Sequence, residues 1–306
     1  MNFQKPHYRL SGDRFIVMTT DITKAEASGV PAWMRQKSTG ASLGNIDSSD
    51  LKPPKLKLLA GMSPEVMDGI PGAQPGTFWL TILNLNLGQN VIVTPILLRK
   101  SYHAWAPKTQ ANAEQKGPLA TASDGIHWDN PNQTFEVRFP GNQTVYKWKI
   151  GKLVTDGNCN KFGSSQPDDP KSKPIATLTY DILVLVELPN SKKQLAVWTS
   201  ARTGVTPTQN FISTVMAMGV DQFYQRYRIV MLKKFGPSND PYFTYDYQFI
   251  GNIQDEAEGD AARALYDQYR KSGFVADLEA EAADIRTQNK TAGGSRDHED
   301  SEEIPF

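Results

Sequence analysis

The chain has 306 residues, with 33 Lys+Arg, 33 Asp+Glu, 4 His, 1 Cys and 6 Trp, and 39% of it is hydrophobic. That is enough apolar mass to bury a core. The single cysteine excludes a disulfide framework and a cysteine-built zinc site, and no run reaches the ~20 apolar residues of a membrane helix. The start, MNFQKPHYRLSGDR, carries no apolar stretch of the secretory type, so no signal peptide is expected. The neutral total hides an asymmetry. Residues 255–306 hold 14 acids and 6 bases, a net of −8, which leaves +8 on the other 254 residues. A basic body should attract polyanions, and an acidic tail should attract basic surfaces, its own body included.

Residues 1–55 contain SGVPAW, KSTGASLG and NIDSSDLKPP and read as an extended N-terminal arm. A globular domain is expected over 56–252. It begins with Leu56, Leu58 and Leu59, followed by a Gly/Pro turn at 69–76. Strands are expected at 77–87, at 90–105 with a bend at Pro95, and at 134–139 and 143–150 as a hairpin. Two more are expected at 176–188 and 194–202. A helix should follow, with Thr206 as N-cap, Pro207 at its first position, an apolar stripe of Phe211, Val215 and Met218, and Gly219 at its end. Strands at 225–235 and 242–250 close the body. The late order of strand, strand, helix, strand, strand suits a mainly β fold: an OB-like barrel with insertions. Residues 253–286 read as a helical segment, with Leu265 and Tyr269 forming one apolar pair. Residues 287–306 read as a flexible linker and a disordered acidic tail.

No nucleotide-binding glycine loop, nucleophile elbow or HExxH is present. His7, His103, His127 and His298 are scattered without metal-ligand spacing. No catalysis, cofactor or metal is therefore expected. What the body offers instead is aromatic residues interleaved with bases on strands: LLRKSYHAWAPK (97–108), VYKWKI (145–150), VWTSAR (197–202) and FYQRYRIVMLKKF (223–235). Rings that stack on bases, with cations that track phosphates, are what sequence-tolerant single-strand binding needs. The residues expected to serve are Arg99, Lys100, Tyr102, Trp105, Lys147, Trp148, Lys149, Trp198, Arg202, Arg226, Tyr227, Arg228, Lys233 and Lys234. Alternation puts Lys147 with Lys149, Trp198 with Arg202, and Arg226 with Arg228 and Lys234. The same pattern also describes an ordinary sheet with an aromatic core and a wet basic face. Phe243, Tyr245, Tyr247 and Phe249 fall on one side of their strand and read as mostly core.

The last ten residues are DHEDSEEIPF. Asp297, Glu299, Asp300, Glu302 and Glu303 precede Ile304, Pro305 and Phe306, so a charged run ends in an apolar tip. That suits a docking peptide: Phe306 for an apolar pocket, its carboxylate for a base, and the acids for a basic ridge. This ending resembles the C-terminal tip of bacterial single-stranded-DNA-binding proteins, which recruits replication and repair enzymes and competes with DNA. The body departs from that family, with a long arm and about twice the domain size. VPAWMRQKSTGASLGNIDSSDLKPPKLKLLAGMSPEV (30–66) and GAQPGTFW (72–79) resemble instead a family of tailed-bacteriophage proteins with single-stranded-DNA-binding members.

Together the resemblances imply a phage protein of the bacterial host cytoplasm. It would coat single-stranded DNA in replication or recombination and recruit host or phage replication and repair proteins through its tip. No membrane partner is expected, and self-association is open. A strand-annealing recombination protein and a virion structural protein are the competing expectations.

Overall fold

The computed structural model describes residues 53–105, 118–138, 145–164, 170–189, 191–236, 239 and 241–272. The chain divides into two units, Met1–Lys52 and Pro53–Phe306, and every described residue belongs to the second. That unit is mainly β, a sheet curled into a half-barrel with a helix near its C-terminal side.

The strands are β1 (Lys55–Leu58), β2 (Phe78–Leu80), β3 (Leu85–Gly88), β4 (Asn90–Ala104), β5 (Ala120–Ala122), β6 (Thr134–Arg138), β7 (Val145–Lys149), β8 (Ala176–Glu187), β9 (Lys193–Ala201), β10 (Gln225–Phe235) and β11 (Pro241–Asn252). Helices are α1 (Pro64–Met67), α2 (Val205–Met218) and α3 (Glu256–Ser272). Among the described residues the main sheet runs β11-β10-β4-β8-β9-β1-β2-β3, with β5 beside the far end of β4, and β6–β7 form a separate hairpin. Every pairing is antiparallel except β1 on β9.

The long β4 is the trunk. It pairs with β10 through its first four residues, Asn90 to Val93, and with β8 from Val93 to its end, and its register slips between Pro95 and Leu97. Proline cannot donate to a ladder, so the bulge falls where the sequence demanded a bend. The expected strand at 77–87 is two strands instead. Residues 81–84 form a turn in which Ile82 and Asn84 take φ of 49° and 48°. A β-branched residue in the left-handed region is uncommon, so the alternating sequence gave no warning of the break.

The inner face of the half-barrel carries Val91, Val93, Ile182, Val184, Trp198, Phe78, Tyr227, Ile229 and Tyr245, with Phe211 of α2 packed into it. The outer face carries Ile96, Leu183 and Val197 under Phe223 and Ala262, with Leu265, Tyr266 and Tyr269 of α3 alongside. Because β8 is covered on both sides, its sequence DILVLVE reads as a continuous apolar run instead of alternating. A third cluster, Ala104, Ala120, Ala122, Trp128, Ile150, Val154, Cys159 and Ala176, holds the insertion between β4 and β8 together.

The helix after β9 departs from expectation in two details. It starts at Val205 on Gly204, which makes no side-chain cap, so Thr206 is not the N-cap. Pro207 becomes the third residue, still within the turn whose N–H groups lack helical partners. Ile212 packs inward beside Phe211 and Val215, whereas Met218 is exposed. Gly219 ends the helix in the left-handed conformation, φ 64°, as expected of a C-terminal glycine. Glycine is required at 204 for space: a Cβ there would lie 2.2 Å from the Tyr245 hydroxyl.

Candidate nucleic-acid interface

The sequence nominated fourteen residues, and the fold sorts them by physical circumstance. Trp198 and Tyr227 are interior residues, 2% and 1% exposed. Trp198 donates its indole N–H to the Tyr247 hydroxyl at 2.8 Å and meets Tyr245 edge-on at 4.8 Å and Phe78 at 5.7 Å. Tyr227 stands edge-on to Phe211 at 4.8 Å. Neither presents a ring face to solvent, so the expectation that they stack on bases gives way to packing. The reason is curvature. The sheet closes its aromatic side on itself, bringing β11 against β9, which strand periodicity does not record.

Behind Trp198 lies a hydroxyl network. Thr208 Oγ1 donates to Ser200 Oγ at 2.8 Å and lies 3.3 Å from the Tyr247 hydroxyl, while the Tyr245 hydroxyl donates to the Gly204 carbonyl at 3.3 Å. Burial raises the pKa of Tyr245, and raises that of Tyr247 well above the usual tyrosine value. Both rings are held neutral.

Two nominated cations are engaged internally. Arg226 donates to Glu187 at 2.6 Å. Arg99 stands opposite Asp181 in the ladder, and its charge is one of those acting on that carboxylate. Asp181 accepts from Thr199 Oγ1 at 2.8 Å and from Ser101 Oγ at 3.5 Å, and burial raises its pKa. Next to it the His103 ring lies 3.1 Å from Ser101 Oγ, and burial lowers its pKa to about 4. This buried polar patch lies on the outer side of β4, β8 and β9. Arg202 does not share a face with Trp198, because β9 ends at Ala201 and Arg202 enters a tight turn with φ 52°.

The remaining nominees sit in three places. Lys100 and Tyr102 lie near the far end of β4, the ammonium 5.3 Å from the ring centroid, and Trp105 follows, half-buried. Lys147, Trp148 and Lys149 are on the β6–β7 hairpin, where Lys147 and Lys149 are exposed and Lys147 lies 3.7 Å from Glu136. Arg228, Lys233 and Lys234 are exposed on β10. Alternation keeps Arg228 and Lys234 on one side, and Lys233 shares the other side with Phe235, its ammonium 5.5 Å from that ring.

Strand reasoning missed the rings beside these cations. Phe235 is 58% exposed and Tyr242 37%, and Leu232 joins them at the surface. The β4–β10 ladder ends at the pair Asn90–Val230, with one further bond from the Met231 N–H to the Gln89 carbonyl at 2.9 Å, and from Leu232 onward the described ladder partner of β10 is β11. The hairpin therefore projects, and residues that alternation would bury stand in solvent. The docking-tail nominees, Asp297, Glu299, Asp300, Glu302, Glu303, Ile304, Pro305 and Phe306, lie outside the described residues.

A family model described as Pam3 phage gp34-like protein matches residues 23–276. No curated protein and no solved structure matches the chain.

Proposed function

The chain belongs to the Pam3 phage gp34-like family, and from that premise we propose that it is a phage single-stranded-DNA-binding protein built on an OB-type barrel. The supporting observation is the connectivity of the barrel together with where its accessible cations sit. β4 is a long bent strand paired with both β8 and β10, β8 continues to β9, α2 follows, and β10 returns as a hairpin with β11. That is the strand–strand–strand–helix–strand–strand order of a five-stranded OB barrel. In our reading the closing edge between the third and fifth strands is replaced by β1 on β9 and by the Trp198–Tyr247 contact. OB barrels bind oligonucleotides on the face of their second and third strands and with the loops after the first and fourth. The Lys100–Tyr102 pair marks the first of those loop rims here, and the Lys233–Phe235 pair marks the other.

Each rim couples a cation to a ring, so phosphate attraction and base stacking would act together. Binding should then be sequence-tolerant and salt-sensitive. We further propose that the tip Ile304–Phe306 recruits replication and repair proteins in the host cytoplasm, guided by the five preceding acids.

Filter binding of oligo-dT and of duplex at matched salt tests the function. The reading expects a preference for the single strand, with log affinity falling by about 0.7 per neutralised phosphate against log salt. Equal or weaker retention of oligo-dT would remove it. Acceleration of complementary-strand pairing would move the protein to the annealing class, and presence in purified particles without DNA dependence would move it to the virion. Deleting Ile304–Phe306 should abolish capture of partner enzymes while leaving DNA affinity unchanged or raised.

A further inference from the structure

We infer, resting on the single-strand reading above, that the nucleic acid runs along the outer side of the β10–β11 hairpin instead of across β8 and β9. Two sets of observations converge on this.

The outer face of β8 and β9 is closed. Leu183, Leu185, Leu195 and Val197 are packed under Phe223 and α3, and Ala262 of α3 is fully buried there. Gly259 lets the helix come close: a Cβ at that position would lie 3.3 Å from the Tyr224 ring. The cations bordering this face are already neutralised, Arg226 by Glu187 and Lys193 by Glu258 of α3. What is left of the face centres on the buried Asp181, whose hydrogen bonds are made internally. An apolar, charge-balanced surface has nothing to offer a polyphosphate.

The hairpin is the opposite case. Its outer side carries the exposed Arg228, Leu232 and Lys234 on β10, opposite the exposed Gln248 and Tyr242 and the buried Thr244 on β11. Leu232 and Tyr242 are each 37% exposed. No described carboxylate lies within ion-pair distance of Arg228 or Lys234. The acid within the row, Asp246, accepts its own neighbour's N–H, from Tyr247 at 2.9 Å. Six residues of strand separate the two cations, roughly 20 Å. Cations at the ends of a row with an accessible ring suit a strand whose phosphates are gripped while a base stacks on Tyr242.

The test is anisotropy titration of labelled oligo-dT against full-length protein over a salt series, with hydrogen exchange on the same samples. Arg228→Glu combined with Lys234→Glu should weaken binding at least tenfold at ~0.1 M salt. It should also lower the salt slope by about 1.4, the loss of two phosphate contacts. Tyr242→Ala should cost about tenfold, within the range of a lost stack. Arg263→Glu, exposed on α3, should change binding less than twofold. DNA should protect amides of 228–248 and leave those of β8, β9 and α3 unchanged. If the wild type binds oligo-dT but the double variant binds equally well, or protection falls on β8 and β9, this placement is overturned while the function stands. If the wild type does not bind, both fall. Should the double variant melt early, Arg228→Gln with Lys234→Gln and the wild-type footprint decide the matter.

Discussion

Replacing Trp198 with alanine separates a packing tryptophan from a stacking one. The side chain is 2% exposed, touches Phe78 and Tyr245, and donates to Tyr247. Removing a buried indole costs about 3–5 kcal/mol, because the interior cannot collapse fully into the space. The lost hydrogen bond adds little, since the Tyr247 hydroxyl keeps Thr208 at 3.3 Å. For a unit of this size each kcal/mol lowers the midpoint by about 2–4 °C, so Tm should fall by roughly 6–20 °C. Trp198→Phe keeps most of the volume and should lose only about 1 kcal/mol in all, hydrogen bond and packing together. Melting by circular dichroism should be run beside an oligo-dT titration at a temperature where both proteins are folded. Under those conditions affinity should change less than twofold. An unaltered Tm with a large loss of affinity would show that the indole faces the ligand and that the half-barrel interior is wrongly drawn.

Other perturbations probe other parts of the structure. The folded state lowers the His103 pKa to about 4, so it favours the neutral ring. That contribution is complete above the unfolded value of about 6.5 and is lost as pH falls towards 4, roughly 3 kcal/mol in all. Asp181, raised by burial, works in the opposite sense at the acid end, so the measurement is the wild-type minus His103→Asn difference in urea midpoint between about pH 7 and pH 4. A flat difference would refute the buried neutral imidazole. Tyr245 and Tyr247 are raised by burial, so their stability is present below the unfolded value of about 10 and is lost at higher pH. Tyr247→Phe should flatten that alkaline loss, which urea melts read directly. Gly204→Ala would place a methyl 2.2 Å from the Tyr245 hydroxyl. It should destabilise by about 1–3 kcal/mol through overpacking alone, because φ at 204 is an ordinary −83°.

Much of the strand layout was legible. Long β-rich runs at 90–105, 176–188 and 225–235 became β4, β8 and β10 because β-branched and aromatic density over such lengths has one good backbone solution. Gly219 and Pro95 announced the helix end and the bulge for the same reason, since each restricts the backbone by itself. The turn at Ile82–Asn84 was illegible because its strained φ belongs to residue types that normally extend. The candidate site was harder still. Alternation assigned Arg228 and Lys234 to one side correctly, but it could not say which side of the sheet curls inward. Trp198 and Tyr227 were therefore placed with the exposed set, although the barrel encloses them. Nor could it foresee that β10 outruns β4, which is what lifts Phe235 and Tyr242 into solvent. Pairings such as Arg226 with Glu187, 39 residues apart, depend on the finished fold.

The central claim is that cations beside aromatic rings on this sheet grip unpaired nucleotides. The most direct measurement is the affinity of the full chain for oligo-dT and for duplex of equal length over one salt series. The account predicts tighter binding of oligo-dT at every salt concentration, with a steep linear fall on log–log axes. Equal affinity for the two, or an affinity indifferent to salt, would contradict it.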